Sequence, residues 1–109
     1  MITTKEVQKF ILALDEERFF DAHEILEKIW FKKRFEPSNE VKLIKGFINA
    51  AVSFELYKRG KIEQSKKAWL TYLKYRQLLF KTGSQKVSLY YDIFLNIQRV
   101  RKKLDVKKD

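Results

Sequence analysis

The sequence predicts an all-α fold, a single-domain bundle of about five helices in antiparallel hairpins, and three observations predict it. The 109 residues include only three glycines and one proline, too few to build the turns of a many-stranded sheet. Apolar residues recur at spacings of three and four, the period of a helix with one buried face. Hydrophobic residues make up 45% of the chain and aromatic residues 15%, enough to bury a core rather than stay disordered. The length is that of one domain. Its core is expected over about residues 4–104, and the basic tail 105–109 is expected to fray.

Thr3 followed by Glu6 fits a capping box. Val7, Phe10, Ile11 and Leu14 follow at helical spacing, giving a first helix over about 4–15. Asp15-Glu16-Glu17-Arg18 is a polar break, and a second helix covers about 18–33. Pro37 disfavours helix at Glu36, and Ser38 or Asn39 can cap the next helix. This third helix, about 39–59, is nearly apolar all round from Gly46 to Phe54, so it should be buried on most sides. Gly46 is costly inside a helix unless a neighbouring helix comes close there. Gly60 suits a left-handed helix end. The fourth helix, about 62–81, presents Ile62, Trp69, Tyr72, Leu73 and Phe80 on one face. The fifth, about 86–104, presents Tyr90, Ile93, Phe94, Ile97, Val100 and Leu104. The openings of the second and fourth helices echo each other loosely. Both look like the return helix of a tetratricopeptide hairpin, but the full repeat pattern is absent.

With no cysteine in the chain, disulfides and thiolate metal sites are excluded, and a reducing cytoplasm is the expected compartment. No apolar run is long enough to span a bilayer, and the first residues do not read as a signal peptide. The net charge of +10 is uneven. Residues 1–40 hold seven Lys/Arg against nine Asp/Glu, and residues 41–109 hold seventeen against five. Such a field could draw nucleic acid or an acidic surface. A lysine-rich solvated surface explains it more simply, because the lysines are scattered. Tyr72, Tyr75, Tyr90 and Tyr91 lie near lysines, but at helical spacing they read first as core and rim.

One stretch breaks the burial pattern. Phe19-Phe20-Asp21-Ala22-His23-Glu24-Ile25-Leu26-Glu27-Lys28-Ile29-Trp30 contains the single histidine. On a helix, His23 and Glu27 fall one turn apart within an aromatic-rimmed apolar stripe, with Glu24 at its margin. Glu55 falls mid-stripe on the third helix, and Arg76 on the fourth. If those stripes face each other, His23, Glu27, Glu55 and Arg76 meet inside the bundle. Buried charges must satisfy one another, so the first reading is a structural polar cluster. The second is a site for a divalent metal or small ligand held by His23, Glu27 and Glu55. The third is general acid–base chemistry by His23 tuned by Glu27, with Trp30 shaping the pocket. His23-Glu24-x-x-Glu27 lacks the second histidine of the zinc-protease signature, and no phosphate loop or nucleophile elbow is present.

The same stretch resembles the aromatic-aromatic-acid-x-His-Glu-x-x-Glu-x-x-Trp signature of domain-of-unknown-function family 309. Ile44-Lys45-Gly46-Phe47-Ile48-x-x-Ala51, with its basic turn ending at Gly60, is similar to that family's second motif. The likeness covers roughly residues 5–104. It implies a small all-helical prokaryotic protein without an established biochemical role, and it implies His23, Glu24, Glu27, Trp30 and Gly46 as signature positions. Lys45 stands where relatives usually have glutamine, and Glu55 where several have histidine. A glutamate there would keep a metal ligand. In an ion pair it would need a cationic partner such as Arg76. The reading is therefore an interaction or scaffold module with a buried His/Glu cluster. The alternatives are a metal- or small-ligand-binding protein, a hydrolase among them, using His23, Glu27 and Glu55, and, more weakly, a nucleic-acid-associated basic protein. A protein partner and self-association are both compatible with this reading.

Overall fold

Thr3 accepts the backbone N–H of Glu6 while the Glu6 carboxylate accepts that of Thr3, a complete capping box. It opens α1, Thr4–Asp15, in the computed structural model, which describes residues 1–104; the tail at 105–109 lies outside the described residues. Four more helices come after it: α2 Phe19–Lys33, α3 Asn39–Lys58, α4 Ile62–Arg76 and α5 Val87–Lys103. Among the described residues there is no strand. Ser38 caps α3 by accepting from the Val41 N–H.

The turns α1–α2 and α3–α4 are built alike. After α1, Arg18 N–H reaches Ala13 O and Glu17 N–H reaches Leu14 O. After α3, Lys61 N–H reaches Leu56 O and Gly60 N–H reaches Tyr57 O. Both are Schellman ends, which need a left-handed residue just past the cap. Gly60 fills that role at φ 76 and Glu17 at φ 57. The echo between the two hairpins thus lies in the turns. Glu17 carries a side chain where glycine is easier, and its carboxylate takes a 2.6 Å hydrogen bond from Lys58. That bond and the ammonium's charge hold Glu17 below its usual value. A Cβ at Gly60 would meet nothing within 4 Å, so Gly60→Ala tests backbone strain alone. It should cost about 1 kcal/mol in chemical denaturation, from the left-handed penalty.

The third helix is the centre. It packs against α2, α4 and α5, while α1 packs on α2 and α5. Gly46 sits where α3 and α4 cross: a Cβ there would lie 2.8 Å from the Tyr75 Cβ. Ser65 donates to Ser53 O at 2.7 Å across the same crossing. A chain of rings runs through the core: Phe19 to Phe54 at 5.4 Å, Phe54 to Trp69 at 5.9 Å, Trp69 to Tyr72 at 4.7 Å, and Phe47 to Tyr72 and Tyr90 at 6.3 and 6.2 Å. Tilted rings at such distances add stabilisation beyond area burial. Tyr72 and Tyr90 are therefore core residues. Burial pushes both phenols well above the usual tyrosine value, and Tyr90 donates to the Glu40 carboxylate. Arg99 on α5 bonds Asp15 on α1 at 2.7 Å.

The fourth helix is shorter than its apolar pattern predicts. After Arg76 the chain tightens into i→i−3 bonds, Leu78 to Tyr75, Leu79 to Arg76 and Lys81 to Leu78. Such tight turns rotate side chains out of the α-helical register. Leu79 stays in the core, and Phe80 turns outward, 73% exposed.

Candidate functional site

The inner face of α2 is formed by Phe19, Ala22, Leu26 and Ile29. Its centre lies about 80° around the helix from His23. The histidine and Glu27 are therefore on the flank of the buried face, a correction to the phase read from the aromatic residues. The His23 side chain is 20% exposed and that of Glu27 43%. They are not sealed in the core, and their 2.8 Å bond bridges one helical turn. A carboxylate can only accept, so His23 Nε2 donates and Nδ1 is left facing away from Glu27.

Glu55, 29% exposed, is the counterpart on α3. Its partner is not Arg76 but Arg59, one turn on, whose Nε donates to it at 3.0 Å. Arg76 belongs to another place. It donates to Gln98 on α5 at 3.4 Å, and its guanidinium lies 5.7 and 5.8 Å from the Tyr72 and Phe94 ring centres. The four-residue cluster across three helices is thus not formed. Arg76 projects toward α5 because α4 turns its small and tyrosine face, Ser65, Ala68 and Tyr75, toward α3.

His23 and Glu55 do come to one place. They line a cleft of about 200 Å³ between α2 and α3, with Phe19, Phe20, Val52, Leu56 and Arg59. Its floor is apolar and its polar groups stand at the rim. Phe20, 56% exposed, tilts against the imidazole at 5.8 Å. Arg59 and Leu56 escaped the sequence reading; the Glu55–Arg59 spacing of four was the signal available for the arginine. Glu24 and Glu27 border a separate, more open depression with Lys28, Phe31 and Lys32.

Among the described residues, no three His, Asp or Glu side chains come together closely enough to hold a metal ion. The set His23, Glu27 and Glu55 is divided, one carboxylate bonding the imidazole and the other a guanidinium. The cleft lining contains no hydroxyl or thiol. Trp30 does not enter it; Lys45 places its ammonium 4.3 Å from the indole ring, a cation–π contact joining α2 to α3.

These features define a small all-α protein of two helical hairpins closed by a fifth helix, with a polar-rimmed cleft between α2 and α3. The chain belongs to the family described as Domain of unknown function (DUF309), whose model matches residues 7–68. That span takes in α1 from Val7 onward, α2, α3 and the first turns of α4, hence the whole cleft and Gly46. No curated protein and no solved structure matches the chain. No described helix is long and apolar enough to cross a membrane.

Proposed function

We propose that this protein is a helical interaction module that takes an apolar side chain of a protein partner into the α2–α3 cleft. The observation that carries this reading is the cleft's make-up: an apolar floor and a rim of His23, Glu55 and Arg59. Its size points to a side chain. At about 200 Å³ it falls below the roughly 300–1,000 Å³ typical of sites that engulf small organic ligands. The rim groups can meet the partner's backbone. Glu55 retains acceptor sites beyond Arg59, and His23 Nδ1 stands free of Glu27. In this reading the Glu27 bond orients the imidazole at the rim.

A photo-crosslinking residue at Phe20 tests the reading in extract of the native host. A discrete protein adduct is expected, and Val52→Trp, which fills the cleft, should abolish it. An adduct unchanged by Val52→Trp would refute the cleft as the docking site. Glu27→Gln separates orientation from structure. The pair is partly exposed, so its loss should change stability by less than about 0.5 kcal/mol while weakening the adduct. Loss of the fold in Glu27→Gln would instead make the pair a structural element.

A further inference from the structure

A second surface shares no residue with the cleft. The fifth helix packs on α1 and α3, and side chains bridge it to α4. Arg101 lies 3.8 Å from the Trp69 ring centre, and Arg76 reaches Phe94 and Gln98. By helical phase these side chains line the seam between the two helices, and a trough there would have them as its floor. Neither arginine is paired with a carboxylate among the described residues. Leu70 on α4 and Tyr91 and Leu95 on α5 are exposed along the edges. At one end the rings of Phe80, Tyr91 and Phe94 succeed one another at 6.1 and 5.7 Å. Large apolar side chains grouped on a surface mark interaction sites.

The charge around it is one-sided. Residues 62–104 carry ten Lys/Arg and two acids, Glu63 and Asp92. By helical phase Lys66 and Lys102 flank the trough on its two sides. We propose that it is a docking surface for an acidic amphipathic helix of a partner protein. Apolar residues of that helix at spacings of three and four would seat between Leu70, Tyr91 and Leu95. Its carboxylates would pair with Arg76 and Arg101, where charge-assisted bonds are strong. The edges favour protein over nucleic acid. Leucines do not stack on bases, and the rings of Phe80, Tyr91 and Phe94 are tilted on one another by 38° and 32° rather than aligned as a stacking row.

The test is fluorescence anisotropy of the full chain with three labelled probes. One is an acidic peptide of about five helical turns with a leucine stripe. The second is the same composition shuffled to destroy the stripe, and the third is oligothymidylate. The striped peptide should bind at least about tenfold more tightly than the shuffled one, a margin of about 1.4 kcal/mol. Leu95→Asp and Leu70→Asp, on opposite edges, should each remove that margin with the thermal transition intact. Val52→Trp should leave it unchanged, which separates this surface from the cleft. Equal binding of both peptides would overturn the proposal, since charge alone would then suffice. So would a striped peptide insensitive to both aspartates. Binding of oligothymidylate without the striped peptide would assign the trough to nucleic acid instead. Self-association abolished by Leu95→Asp, with no peptide binding, would assign it to a second copy of the chain.

Discussion

Phe54→Ala should lower the stability of the fold by about 3–5 kcal/mol, the largest effect expected of any single truncation here. Phe54 is fully buried in α3 and touches rings from two other helices, Phe19 of α2 and Trp69 of α4. Removing it takes away the transfer free energy of the ring. It also leaves a cavity that three helices, held by their own turns, can only partly close. A domain of this size has roughly 5–15 kcal/mol in total, so much of the margin goes. At about 4 °C per kcal/mol the melting midpoint should fall by at least ~12 °C. Circular dichroism on heating, with tryptophan fluorescence from Trp30 and Trp69 as a second probe, measures it. A loss below about 1 kcal/mol would mean that the three-helix ring contact is not formed as described.

Gly46→Val should cost about 3 kcal/mol, and the sign of Gly46→Ala tests the reason. In a solvated helix, alanine is better than glycine by about 1 kcal/mol. At Gly46 the new methyl would lie 2.8 Å from the Tyr75 Cβ. A Cβ is fixed to its backbone and cannot swing aside, so α3 and α4 must separate. Overpacking of that kind costs typically about 1–3 kcal/mol, which outweighs the propensity gain. Gly46→Ala should therefore be net destabilising by about 1 kcal/mol in urea unfolding, and the β-branched valine by more. A stabilised Gly46→Ala would show that the helices do not meet there.

Much of the fold was legible because it rests on local rules. The Thr3–Glu6 capping box, the Ser38 cap and the left-handed Gly60 each depend on a few neighbouring residues, and each is present. The central position of α3 was legible from its apolar girdle. The end of α4 was not. Leu78, Leu79 and Phe80 continue an apolar pattern, and nothing in their identity says that the chain tightens after Arg76. For the candidate site, the adjacency of His23 and Glu27 came directly from their spacing of four. Their depth did not. The aromatic residues pointed to a face centred on His23, whereas the packed face of α2 includes Ala22 and Ile29. Phe20 belongs to the rim of the cleft.

The sequence by itself determined the order and approximate spans of the helices, the ends at Thr3, Ser38 and Gly60 and the histidine–glutamate pair, and it pointed to a close approach at Gly46. The helices, caps and pair are set within one or two helical turns, where geometry is nearly independent of the rest of the chain; the close approach was legible only as a glycine that a helix interior does not otherwise favour. The tertiary structure decided which residues on different helices meet. Glu55 faces His23 across a cleft but bonds Arg59, and Arg76 goes to Gln98 and Phe94 on α5. The physical reason is rotation. An error of one residue in locating the centre of a helical face turns it by about 100°. Only the packing of small residues at the crossings, Gly46 against Tyr75 and Ser53 against Ser65, fixes that angle.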